Sequence, residues 1–145
     1  MKKLMQLAAA AAMMTLPALA GGFWLNVGNA EANTEAKAMN ALFTVMPSGC
    51  GEPTNAKVTA TAEGMVNGKR VSQTVKLSAV RPGLYAVTKQ WPAEGKWAVR
   101  VIAEYKGAET SVLVPVEGST ADRKAAKFQQ GRPAETQIAA ALSSN

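Results

Sequence analysis

Residues 83–101 read GLYAVTKQWPAEGKWAVRV, two alternating segments joined by a turn-rich connector bracketed by Trp91 and Trp97. Ahead of the connector, Tyr85 and Val87 share one face of a short strand that ends near Lys89. Beyond it, Trp97, Val99, Val101, Ala103 and Tyr105 fall on one side of a long strand, and Ala98, Arg100, Ile102 and Glu104 fall on the other. A period of two held this long marks a strand with one buried and one wet face. The stretch therefore reads as the middle of a small antiparallel β-sandwich.

Working toward the N-terminus, Asn67-Gly68 is a favoured pair for a two-residue type I′ hairpin loop, because both central positions need positive φ. If that turn closes, facing residues have numbers that sum to 135. Val58 then meets Leu77 and Ala60 meets Val75 on one face, while Thr59 meets Lys76, Thr61 meets Thr74 and Glu63 meets Ser72 on the other. A one-residue slip would send both sets to the wrong faces, so the turn and the pattern support each other. Gly64, opposite Val71, marks a bulge or a close approach. On the C-terminal side, Lys106-Gly107-Ala108-Glu109 reads as a four-residue loop. Pairing Tyr105 with Thr110 places Ala103 with Val112, Val101 with Val114 and Val99 with Val116. Arg81-Pro82-Gly83 supplies a further turn, and Leu42 to Met46 gives a first strand stopped by Pro47 and followed by a Gly/Pro-rich loop to Asn55. Six strands are expected, near residues 43, 58, 74, 86, 101 and 113, with a seventh available at residues 21–29. Strands at this spacing with no helix between them predict an all-β, two-sheet antiparallel sandwich over residues 41–117.

The ends are of another character. Lys2 and Lys3, an apolar run from Leu4 to Leu16, and Pro17-Ala18-Leu19-Ala20 have the three zones of a secretory signal peptide, residues 1–20, cut after Ala20. The competing reading is an uncleaved anchor over Leu4 to Val27, which Gln6, Pro17, Gly21, Gly22 and Asn26 weaken. Residues 21–40 are small and polar after the first few positions and are expected as a flexible leader or a short frayed helix. Residues 118–145 are expected as a tail, partly helical or disordered, with Thr120 capping a helix to Phe128 and Pro133 opening a second segment that reaches Leu142. Cleavage leaves 125 residues with 14 basic against 10 acidic side chains, a net charge of +4. This describes one mildly basic domain, periplasmic or secreted, with no charge run dense enough for nucleic acid. Membrane association is expected only if the N-terminal segment is uncleaved. Cys50 is the single cysteine, so no intramolecular disulfide forms; it is a loop thiol or half of an intermolecular bridge.

Histidine is absent, which removes the commonest general base and the commonest transition-metal ligand together. No Ser-His or Cys-His nucleophile can be assembled. Met39, Met46, Met65 and Cys50 lie on different segments, and Glu52, Glu63, Glu94, Glu104, Glu109 and Glu117 are dispersed, so soft-metal, calcium and paired-carboxylate sites all lack a nucleus. No catalytic residue, metal ligand or cofactor is expected. What remains is surface. Lys69 and Arg70 at one hairpin tip, with Arg81, Lys89, Lys96, Arg100 and Lys106, are either solvated charge that resists edge association or contacts for an anionic partner. Trp97 shares a face with Val99 and Val101 and is assigned to the core. That leaves Trp91, Lys96, Arg100, Lys69 and Arg70 as the candidate partner-binding residues.

The order P-x-x-A-x-V (Pro53, Ala56, Val58), GLYAV (Gly83 to Val87) and WPAEGKWAVRV (Trp91 to Val101) resembles the small bacterial exported immunoglobulin-like modules of the YtkA-like and FixH-like families, over about residues 42–116. The resemblance implies an immunoglobulin-like sandwich and a role in membrane complexes, metal handling or envelope assembly. The histidine ligands of the copper-handling relatives have no counterpart here. Two functions are expected from these readings. The first is an exported, non-enzymatic binding or accessory domain of the bacterial cell envelope, with an envelope or secreted protein as partner. The alternative is a periplasmic carrier of a small or lipidic anionic ligand, held near Trp91, Trp97 and Arg100.

Overall fold

The apolar alternation is realised in ten strands: β1 (Phe23–Gly28), β2 (Ala41–Gly49), β3 (Lys57–Val66), β4 (Lys69–Val75), β5 (Ser78–Arg81), β6 (Leu84–Thr88), β7 (Lys96–Tyr105), β8 (Ala108–Glu117), β9 (Thr120–Ala121) and β10 (Lys127–Gln130). Among the described residues two α-helices accompany these ten strands, α1 (Thr34–Ala38) and α2 (Glu135–Ser143). The structure is a computed structural model that describes residues 22–51 and 53–143; the signal peptide read at residues 1–20 lies outside them. The strands form two antiparallel sheets, ordered β1-β2-β6-β5 and β10-β8-β7-β3-β4, with β9 on β8. Taken as A to G with C′, strands β1 to β8 reproduce the ABED and GFCC′ sheets of the immunoglobulin fold. The expected sandwich is present, with β1 as the available seventh strand and β5 as an unexpected one: β4 ends at Val75, so the expected pairs Val58–Leu77 and Thr59–Lys76 do not form, and β5 joins the other sheet.

Turn residues at positive φ set the registers. Asn67 (φ 51°) and Gly68 (φ 73°) close the β3–β4 hairpin, and Ala60 pairs with Val75, Thr61 with Thr74 and Glu63 with Ser72, as the sequence predicts. The second hairpin differs from its expectation. Lys106 (φ 47°) and Gly107 (φ 79°) make a two-residue loop, so Tyr105 pairs with Ala108, Val101 with Val112 and Val99 with Val114. The register lies two residues from the predicted one, a slip that keeps every side chain on its face, so alternation alone could not exclude it. The two-residue loop wins because its backbone twist matches that of the flanking strands.

Between the sheets, Phe43, Val45 and Val87 meet Val99, Val101, Val112 and Val114, all without solvent exposure. Trp97 packs over Gly64, where a Cβ would lie 2.6 Å from the indole, so the glycine is required by a close approach and makes no bulge. At the corner where the chain passes from β4 to β5, the Gln90 side chain replaces the missing ladder: its Nε2 donates to the Lys76 carbonyl and its Oε1 accepts from the Lys76 N–H, each at 2.8 Å.

Four expectations are corrected. Pro47 does not stop β2, which continues to Gly49; from Met46 onward it pairs with β1 alone, so the missing proline N–H faces no ladder partner. The segment expected as a flexible leader contains β1, a 3₁₀ turn over Ala30–Ala32 and α1. Asn29 and Asn33 accept from the N–H groups of Glu31 and Ala36, and Ala30 and Ala36 pack on Ala86 across the outer face of the first sheet. The segment expected as a partly helical or disordered tail is also ordered: Asp122, not Thr120, caps a single 3₁₀ turn over Arg123–Ala125, β10 follows, and α2 lies beyond Pro133. As a result the face of β7 expected to be wet is covered. Ala98 and Leu113 are sealed by Ile138 and Leu142 of α2.

Candidate functional site

The five residues singled out by sequence do not form one surface. Trp91 is only 5% exposed, as is Trp97; their rings stand 6.2 Å apart in the core, and Trp97 Nε1 donates to the Glu94 carbonyl at 2.7 Å. The placement of Trp91 on a partner-facing surface is therefore corrected. It follows the connector's fold back onto β3, where Gly95 (φ 88°) comes against the Met65 carbonyl. Arg70 and Arg100 converge on Glu63, whose side chain is 3% exposed. Arg100 reaches Glu63 Oε1 at 3.1 Å and Arg70 reaches Oε2 at 3.2 Å, while the Ser72 hydroxyl donates to the same Oε2. Arg70 Nε also donates to Glu135 Oε1 at 2.8 Å and so fastens the first turn of α2 to the sheet. That hydrogen bond holds the Glu135 carboxyl below the ordinary carboxylate range and raises the guanidinium of Arg70. Lys69 and Lys96 remain exposed, at the hairpin tip and at the start of β7.

A second ionic clasp holds the chain ahead of α2. Glu104 and Glu109 face each other on adjacent strands, a pairing that repels on its own. Arg132 bridges them, with Nε 3.0 Å from Glu109 and NH2 3.1 Å from Glu104. Both clasps turn positive charge inward, against the second sheet.

Charge is left unpaired elsewhere. Arg123, Lys124 and Lys127 make no ion pair among the described residues, and they flank Phe128, which is 54% exposed. Phe128 stands on edge strand β10 opposite Val112 and borders two concavities. One, of about 670 Å³, is lined by Val27, Ala121 and the polar side chains of Glu117, Asp122, Arg123 and Lys124. Here the Asp122 carboxylate is engaged as a cap, accepting from the Ala125 N–H at 3.1 Å. The other, of about 580 Å³, is a mostly apolar groove between β8, β10 and α2. Its lining includes Leu113, Pro115, Ala125, Ala140 and Ala141, and its one charged side chain is that of Lys127. Lys127 lies opposite Leu113 in the ladder and so on the groove's face of the sheet. A bond of 2.6 Å from Gln137 Nε2 to Gln129 Oε1 ties helix to strand across it.

No group of three or more His, Cys, Asp or Glu side chains suited to a metal ion occurs among the described residues. The concave surfaces instead offer cations, one exposed ring and an apolar trough. Sequence reading missed this face because Lys124, Lys127 and Phe128 were assigned to a solvated helix. The available signal was Lys127-Phe128-Gln129-Gln130 bounded by Gly131 and Pro133, a short strand between breakers.

The class defined by the fold is an immunoglobulin-like antiparallel β-sandwich extended at its C-terminal edge by β10 and capped by α2. Compared with protein-family models, curated proteins and solved structures, the chain shows no match.

Proposed function

We propose that this protein is an exported, non-enzymatic binding module of the cell envelope that engages its partner through the face centred on Phe128. The observation that carries this reading is the exposed ring on edge strand β10, set between two concavities and flanked by the unpaired Arg123, Lys124 and Lys127. Exposed aromatics beside arginine and lysine suit binding anchors, because the ring offers apolar area at little entropic cost and the cations steer anionic partners. Export rests on the signal-like residues 1–20, and the lack of histidine supports a role without acid–base catalysis. Kinship with the YtkA-like and FixH-like modules is part of the same proposal. The test is a photoreactive aromatic residue placed at 128 in the expressing host. A discrete adduct is expected at 128, absent when the probe sits at Val71 on the opposite sheet edge and reduced by Lys127→Glu. Adducts of equal yield at both positions, or none at 128, overturn the assignment.

A further inference from the structure

The groove between β8, β10 and α2 has the composition of a site for a single-chain anionic amphiphile. Its volume of about 580 Å³ falls within the range of small-molecule sites, about 300–1,000 Å³. Leu113 and Pro115 line it from the strand side, Ala140 and Ala141 from the helix side, and small side chains leave the trough open along α2. Among the described residues the only charge in the lining is the ammonium of Lys127, which is exposed and makes no ion pair with any of them. No carboxylate lines this groove among the described residues; Glu117 and Asp122 line the neighbouring concavity. Glu135 is bonded to Arg70, Glu109 and Glu104 to Arg132, and Asp122 to the Ala125 N–H. Across Phe128, the neighbouring concavity carries Arg123 and Lys124 beside Glu117 and Asp122, so Lys127 alone sets the charge of the groove. An apolar trough with one cation at its edge complements a ligand with one hydrocarbon chain and one anionic head. It does not suit an acidic peptide, whose backbone polar groups would find few partners on the alanine and proline walls.

We infer that the groove binds a long-chain fatty acid, its chain laid along Leu113, Pro115 and Ala140 and its carboxylate paired with Lys127. This deepens the assignment of the Phe128 face and rests on it. The carboxylate gains a charge-assisted contact at Lys127, and each methylene entering the trough adds apolar burial. The Gln137–Gln129 bond spans the groove, so the chain lies along α2 and the head stays at the strand.

The test uses the full chain as its host processes it, titrated with dodecanoate, tetradecanoate and hexadecanoate below their micelle concentrations, with 1-hexadecanol as neutral control. Saturable one-to-one binding is expected, tightening about two- to fourfold per methylene until the trough is filled. Hexadecanol should bind several-fold more weakly than hexadecanoate, and Lys127→Glu should abolish that preference. Ala140→Trp should reduce binding of all chain lengths; Ala125→Phe, outside the cluster that docks α2, provides a second filling variant if the first displaces the helix. The inference is overturned if binding is absent, if it ignores chain length, if alcohol and acid bind equally, or if both filling variants leave it intact. A dimer that Ala140→Trp dissociates would assign the trough to a second copy and overturn it as well. A protein adduct at position 128 with no fatty-acid binding overturns the amphiphile and leaves the Phe128 face standing; loss of both defeats the parent reading too.

Discussion

The surroundings of Trp91 and Trp97 and those of Phe128 both combine aromatic rings with basic side chains, and of the two only the second has anything left to offer a partner. Around Trp91 and Trp97 the rings are buried against each other, and the neighbouring Arg70 and Arg100 are spent on Glu63 and, for Arg70, on Glu135. Around Phe128 the ring is exposed and Arg123, Lys124 and Lys127 make no ion pair among the described residues. Residue type is the same in both places. What differs is whether the carboxylates are placed to absorb the charge. Glu63 sits beneath the C-terminal helix, where an unpaired carboxylate would be costly and two guanidinium groups compensate it. Beside β10 the carboxylates of Glu117 and Asp122 form no ion pair among the described residues, so the cations there stay available.

Substitutions that remove the first region's packing should have the largest effect on stability. Trp91→Ala and Trp97→Ala are each expected to cost about 3–5 kcal/mol in urea unfolding, since both rings are core, whereas Phe128→Ser should change stability by about 0.5 kcal/mol or less. A small loss for Trp91→Ala would return that ring to the surface and erase the contrast. Next comes Glu63→Ala, expected to cost about 3 kcal/mol because two arginines lose their counter-charge. Arg123→Glu and Lys124→Glu, by contrast, should leave the unfolding midpoint within about 0.5 kcal/mol of the parent. Comparable destabilisation from the two sets would show that the Phe128 cations are structural.

The smallest expected effect is a pH dependence at the α2 clasp. The Glu135 carboxyl titrates below its unfolded-chain value because Arg70 donates to it, so its contribution is complete above the ordinary glutamate range near pH 4.3. It is lost as pH falls through the depressed folded value. Amide protection factors in residues 135–143, the observed rates relative to intrinsic exchange at each pH, should therefore fall on acidification more in the parent protein than in Glu135→Gln. An identical response in both would remove the clasp from the helix's stability.

The sandwich was legible because β3, β4, β6, β7 and β8 carry a period of two and because Asn67-Gly68 fixes one register outright, whereas β5, β9 and β10 are too short to show a period. The β7–β8 register was not, since a two-residue slip conserves apolar pairing and only the φ values at Lys106 and Gly107 decide between the loops. Both chain ends were misjudged for one reason. Ala30, Ala36 and Ala98 bury small side chains that contribute little to a hydrophobic pattern, yet they let the ends approach the sheets closely. A tail with Ile138 and Leu142 as its main apolar residues looks solvated until the alanines beneath it are known. The face at Phe128 was hidden with it, because that face exists only when β10 and α2 are both docked.

The most direct measurement is amide chemical-shift mapping of the processed chain during a dodecanoate titration. Perturbations are expected to cluster at Leu113, Lys127, Phe128 and residues 137–141. Shifts centred on Trp91, Lys96 and the 67–70 hairpin, with β10 and α2 silent, would contradict the assignment of the binding face.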